Sequence, residues 1–95
     1  MRAHVLVNVK ANAERQVAKE IHRLTHAHGG TSSKVDVIFG DKNLFVTVEV
    51  PNNECLSAIN SGLQDNPQVT QTLVYVVATI DLEDEQAELV TETPA

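Results

Sequence analysis

The sequence predicts an α+β fold in the order β-α-β-β-α-β, a four-stranded antiparallel sheet with both helices on one face. Three observations predict it. Alternating apolar residues mark strands near the start, the middle and the end of the chain. Two intervening segments repeat apolar residues at the spacing of a buried helical stripe. Each of those segments follows one strand and returns the chain for another.

The first strand is 4–10, HVLVNVK, with Val5, Val7 and Val9 on one face and His4, Leu6, Asn8 and Lys10 on the other. Asn12 is a good N-cap for a helix over 13–26, in which Ala13, Val17, Ile21 and Leu24 form the apolar stripe. Arg15, Lys19, His22 and His26 lie opposite that stripe. Gly29 and Gly30 end the helix, and Thr31, Ser32 and Ser33 read as a loop. Two strands follow around a tight turn. Val35, Val37 and Phe39 alternate in the first; Leu44, Val46, Val48 and Val50 alternate in the second. Residues Gly40, Asp41, Lys42 and Asn43 form the turn, where Gly and Asn tolerate positive φ. Pro51 stops the strand. Asn52 or Asn53 caps a second helix, 53–65, that buries Leu56, Ile59 and Leu63, and Pro67 follows its end. The last strand is 68–80, QVTQTLVYVVATI, apolar on both faces.

That last feature bears on assembly. A solvated sheet face is normally polar, so the face away from the helices is expected to pack on another copy. Two such sheets, face to face, make a dimeric α/β barrel, and the pattern predicts a homodimer. The architecture is the ferredoxin-like split βαβ arrangement.

Composition narrows the function classes. Ninety-five residues make one small domain, and a chain this size hides only about 60–68% of its unfolded surface, which favours further burial by self-association. The net charge is −6, but residues 1–80 hold seven bases and seven acids and are balanced. The last fifteen residues, DLEDEQAELVTETPA, hold six acids and no base. The domain is thus read as 1–80, followed by an acidic tail over 81–95. The tail is either a solvated, solubilising end or a short docking helix capped by Asp81, with Leu82, Ala87, Leu89 and Val90 as its apolar surface. A balanced body and an acidic tail predict neither direct DNA binding nor membrane binding. The single Cys55 excludes an internal disulfide. The N-terminus lacks an apolar signal region, so the chain is expected in the cytoplasm.

Candidate chemistry is sparse. His22 and His26 are four apart and His28 is close, but at about 100° per residue the pair points to water. A metal also needs further ligands and a supporting shell, so no metal site is expected. Cys55 begins a helix with no base beside it in sequence. No phosphate loop or cofactor motif occurs. The turn at 40–43 is the richest group: free backbone N–H groups, Asp41, Lys42 and the Asn43 amide are suited to the two ends of an amino acid. A plain hairpin turn explains the same residues. Asn8 is either a cleft residue or a polar residue at a dimer seam. An alternative activity is that of a small dimeric α/β-barrel enzyme such as a cofactor-independent monooxygenase, for which His4, Asn8 and Tyr75 are the nearby candidates.

The strand HVLVNV, the hairpin VIFGDKNLFVTVEV and the segment NPQVTQTLVYVV together resemble the effector-binding (RAM) domain of the Lrp/AsnC family of regulators. That domain carries G-x-x-D-L in its central hairpin and P-x-V-x-x-T-x-T before its last strand. Here the matching residues are Gly40, Asp41, Lys42, Asn43 and Leu44, then Pro67, Gln68, Val69, Thr70, Gln71 and Thr72. The hairpin aspartate is replaced by Asn43, and the loop HAHGGTSSK is longer than usual. The resemblance covers about residues 3–80. It implies a ferredoxin-like domain that dimerises through its sheets and builds tetramers or octamers. It also implies an amino-acid effector held at Gly40, Asp41, Asn43, Leu44, Thr70 and Thr72, with no catalytic residue. Without a helix-turn-helix, such a chain resembles a stand-alone sensing module that acts in transcription regulation, alone or with full-length Lrp/AsnC regulators.

Overall fold

The chain's first strand lies in the middle of its sheet. A computed structural model describes residues 1–40, 42–80 and 89–91. They form strand β1 (Arg2–Val9), helix α1 (Glu14–Ala27), β2 (Ser32–Val37), β3 (Leu44–Glu49), helix α2 (Asn53–Gln64), β4 (Val69–Val76), β5 (Ala78–Ile80) and β6 (Leu89–Thr91). The first four strands in the sheet are antiparallel and ordered β2-β3-β1-β4. This is the expected α+β, ferredoxin-like order. The sheet is open, with β2 and β4 as its outer strands, and does not close into a barrel within the chain.

The period-2 pattern decides which face each residue takes. Ala3, Val5 and Val7 stand opposite Val48, Val46 and Leu44, and all six are buried under the helices. Helix α1 adds Val17, Ile21 and Leu24 to that core; α2 adds Leu56, Ile59 and Leu63. The valines suit this place because β-branched side chains are already stiff and lose little freedom on a pleated surface.

The two helices start differently. Asn52 caps α2 as predicted: its side-chain oxygen accepts from the Cys55 N–H at 2.9 Å. Asn12 does not cap α1. It adopts φ +66, a left-handed turn conformation that asparagine tolerates, and Ala13 is the N-cap residue without a side-chain bond. The first turn of α1 is instead closed by main chain, with Ala13 N–H donating to Lys10 O and Val17 N–H to Ala13 O.

Three other boundaries move. Ser32 and Ser33, read as loop, begin β2 opposite Glu49 and Val48. Phe39, read as strand, lies beyond the end of β2. The final strand stops at Val76; Val77 donates its N–H to Arg2 O, and the chain continues as β5, paired with β6 in a separate two-stranded sheet. Strand β6 falls in the segment read as an acidic tail, so Leu89 and Val90 are extended there and not helical. Asp81, Leu82 and Ala87, the other residues of that docking-helix reading, lie outside the described residues. No helix among the described residues is long and apolar enough to cross a membrane.

On α1, Arg23 and Glu20 form an exposed ion pair three residues apart. The Arg23 hydrogen bond holds the Glu20 carboxyl below its ordinary range, and Glu20 raises Arg23 in return. The pair's small contribution is therefore present above the ordinary Glu range and is lost as pH falls through the lowered one.

Candidate functional site

The polar residues converge at one end of the sheet, where β1, residues Lys42 and Asn43, and β4 meet. Strand β1 supplies Asn8, whose side chain faces away from the helices. The regular β1–β4 register places Gln71 opposite Asn8, and a bulge between Asn8 and Val9 then skips Thr70. The Thr70 hydroxyl donates to Asn8 O at 3.2 Å. Lys42 Nζ donates to Gln71 Oε1 at 2.7 Å, and Asn8 Nδ2 reaches the same oxygen at 3.4 Å. One amide oxygen thus accepts from an ammonium and an amide, in contact with water.

Asn43 is the clasp that builds this end. Its Oδ1 accepts from Val9 N–H at 2.9 Å, while its own N–H donates to Asn8 Oδ1 at 3.1 Å. The two asparagines therefore each use a side chain on the other's strand. Val9 is buried, so its N–H has little access to water. Replacing Asn43 by Leu is expected to cost about 1–3 kcal/mol by orphaning that donor. Asn43→Asp keeps an acceptor oxygen in place and is expected to cost less than about 1 kcal/mol. Urea unfolding of the two variants checks the contrast.

The other expected site residues are dispersed. Leu44 is fully buried in the core and presents no side-chain surface. Thr72 stands opposite Val7 on the helix side of the sheet, and its hydroxyl accepts from Gln64 Nε2 at 3.4 Å. Gly40 has φ +145 and open space around its Cα. Asp41 lies outside the described residues. A shallow cleft of about 250 Å³ is lined by Gln64, Val69, Thr70, Gln71 and Thr72. Sequence reasoning did not single out Gln71 by itself. The signal for it is the β1–β4 register, which the polar alternation of QVTQT does not fix.

The rest of the open sheet face carries His4, Leu6, Phe45, Leu73 and Tyr75. Leu6 lies between Phe45 and Leu73, and His4 between Thr47 and Tyr75. The His4 ring stacks on Phe45 with centroids 4.8 Å apart, and its Nδ1 shares a hydrogen bond with Thr47 Oγ1 at 3.0 Å. An apolar centre is thereby rimmed by the Arg2–Glu49 ion pair at one end and the Asn8–Gln71 pair at the other. His4, Asn8 and Tyr75 all sit on this face, away from the space between sheet and helices, which is filled by buried side chains.

His22 and His26 are exposed on α1, edge to face at 4.4 Å, with His22 Nδ1 hydrogen-bonded to Ser33 Oγ. Among the described residues, no three metal-ligating side chains come together. Cys55 bonds to the carbonyl of His28, which ties α2 to the end of α1.

No family model and no curated protein matches the chain. Among solved structures, it is similar to the crystal structure of hypothetical protein PHS023 from Pyrococcus horikoshii. The two share 21% identity over 90% of this chain and 96% of the other, with a TM-score of 0.59. A likeness at that identity concerns backbone architecture, and the chain is accordingly a small α+β domain of ferredoxin-like type.

Proposed function

We propose that the chain is a small-molecule sensing and self-associating module of Lrp/AsnC type, with an amino acid as its effector. It acts in transcription regulation through its assembly, with itself or with full-length regulators, and does not hold DNA itself. The observation that supports this reading is the meeting of Lys42 and Asn8 on Gln71 Oε1. A zwitterionic amino acid satisfies all three groups when it enters there. Its carboxylate takes the Lys42 and Asn8 donors, and its ammonium donates to the Gln71 oxygen they release. Exchanging a neutral acceptor for a carboxylate strengthens the Lys42 hydrogen bond.

The open face supplies the self-association. Leu6, Phe45, Leu73 and Tyr75 are apolar surface that a second sheet covers, which gives the face-to-face homodimer. The balanced charge of residues 1–80 agrees with stacking of like subunits and offers no basic footprint for phosphates. The enzyme alternative gains no support, since its candidate residues lie on the open face and not in a cleft under the helices.

Thermal unfolding with each amino acid in turn tests the sensing role. Ligand at a hundredfold excess over Kd stabilises by about 2.7 kcal/mol, and each kcal/mol moves the Tm of a domain this size by about 4–8 °C. Lys42→Ala is expected to keep the fold and abolish the shift. A flat response across the whole set overturns the sensing reading, and a shift that survives Lys42→Ala moves the site elsewhere.

A further inference from the structure

Strand β2 is an outer strand of the sheet, so one row of its backbone groups lacks a ladder partner in the sheet. Its sequence is SSKVDV, with Lys34 and Asp36 on the open face and Val35 between them on the helix face. The two charges are exposed and lie 3.6 Å apart. We propose that β2 is a second self-association site, at which the edge strands of two copies pair antiparallel about a two-fold axis through Val35. This goes beyond the sensing and face-to-face pairing described above and does not rest on either.

The backbone permits an axis through Val35, and the charges select it. Ile38 N–H donates to Asn43 O at 2.8 Å, in the register that continues Val37 opposite Leu44. Antiparallel ladders alternate, so Asp36, Lys34 and Ser32 direct their N–H and C=O groups to β3. Ser33, Val35 and Val37 direct theirs outward. A two-fold axis through Val35 sets Val35 against itself as a hydrogen-bonded pair, flanked by Ser33 against the second copy's Val37 on both sides. All three outward residues find donors and acceptors.

The same axis sets Lys34 opposite the second copy's Asp36, and Asp36 opposite its Lys34. An axis through residue 34 or 36 also pairs outward residues, 33 with 35 or 35 with 37, but it sets like charges opposite each other. Opposite charges directly across a ladder are favourable and like charges are not. Among these three axes only the one through Val35 sets opposite charges across the ladder, and an isologous contact needs such self-complementarity. Apolar exposure adds to the edge: Val37 is 56% exposed and Phe39 97%. Strand β4, the other outer strand, carries no charged residue to set such a register. Joined to the face-to-face contact, this second axis makes tetramers of two dimers.

Charge exchange tests it. Lys34→Glu leaves two acids on the edge, and Asp36→Lys leaves two bases, so each variant repels itself. Each is expected to weaken edge pairing by about tenfold or more, seen by analytical ultracentrifugation as loss of one doubling in mass. Mixing the two variants, or making both changes in one chain, restores Lys–Asp or Lys–Glu apposition and is expected to restore the mass. A disulfide gives a second readout: in a chain carrying Val35→Cys and Cys55→Ser, the paired Cα atoms at position 35 are about 5.5 Å apart, within disulfide reach. Mild oxidation is expected to cross-link it. The proposal is overturned if the wild-type chain stays monomeric at millimolar concentration, or if the single charge variants keep the wild-type mass. It is equally overturned if neither the mixture nor the double exchange recovers that mass, or if the Val35→Cys variant does not cross-link.

Discussion

Ile21→Ala is expected to remove about 3–5 kcal/mol of stability, the upper part of the range for an aliphatic residue truncated in a core. Ile21 is fully buried on the apolar stripe of α1. The cost depends on how far the surroundings can collapse into the space left behind. The core that holds it is built largely on valines of β1 and β3. Valine has one side-chain torsion and no length with which to reach across a void, and its backbone is fixed by ladders on both sides. Domains of this class have about 5–15 kcal/mol in total, so the variant is expected to sit near its unfolding transition at room temperature. Ile21→Val, which deletes one methylene, is expected to cost only about 0.5–1.5 kcal/mol. Urea unfolding checks both, and a loss below about 2 kcal/mol for the alanine variant would show that α1 settles onto the sheet.

Gly30→Ala is the second large effect, and it acts through the backbone. Gly30 is buried where the chain leaves α1 for β2, and its N–H donates to Thr25 O at 2.7 Å. A Cβ there falls 2.4 Å from Thr25 Cγ2, 2.8 Å from Thr25 O and 3.1 Å from Glu49 O. The methyl cannot swing aside cheaply, because Thr25 is fully buried and its hydroxyl is bonded to Ile21 O at 2.7 Å. The two carbonyls belong to α1 and β3 themselves. Overpacking of this kind costs about 1–3 kcal/mol and sometimes more, and the upper end is expected here. Adding Thr25→Ser removes the methyl but neither carbonyl, so the double variant is expected to recover part of the loss. Urea unfolding of the single and double variants measures both. Gly62 is different in kind: its added Cβ meets only the side chain of Leu24, at 2.7 Å. A milder cost is expected there, because Leu24 can change rotamer.

These two positions also show what the sequence made legible. The stripe of Val17, Ile21 and Leu24 and the alternation of β1 and β3 depend on local periodicity, and all three elements lie within two residues of where they are predicted. Gly30 was read only as the end of a helix. Its tight fit between α1 and β3 depends on residues five and nineteen positions away, which no local pattern expresses. The same reason hid the start of β2: Ser32 and Ser33 have loop-like composition, but Thr31 N–H donates to Glu49 O and the ladder continues from there. Asn12 looked like a cap because it precedes a stripe. The turn before α1 uses it for its left-handed φ instead.

The candidate site was legible in outline and not in detail. The hairpin region 40–43 and the Thr70 region do meet, through Asn8. Which side chains face outward there depends on the β1–β4 register, which runs unbroken from Ala3 opposite Val76 to Asn8 opposite Gln71, and a shift of one residue would reverse every one of them. That is why Gln71 takes the open position and Thr72 turns to α2.

The central place of β1 has a consequence for how the molecule forms. Residues 2–9 find their two partners at 44–49 and 69–76, so the middle of the sheet joins segments from the two ends of the domain. Chains dominated by such distant pairings fold more slowly than helical bundles of the same size. During synthesis the first strand emerges long before its second neighbour exists, and at about 5–20 residues per second it waits several seconds with its valine run uncovered. The stretch VLVNV has the high β-propensity and low charge of segments that pair with the wrong neighbour. Arg2 and Lys10, on either side of it, are charges of the kind that discourage such pairing.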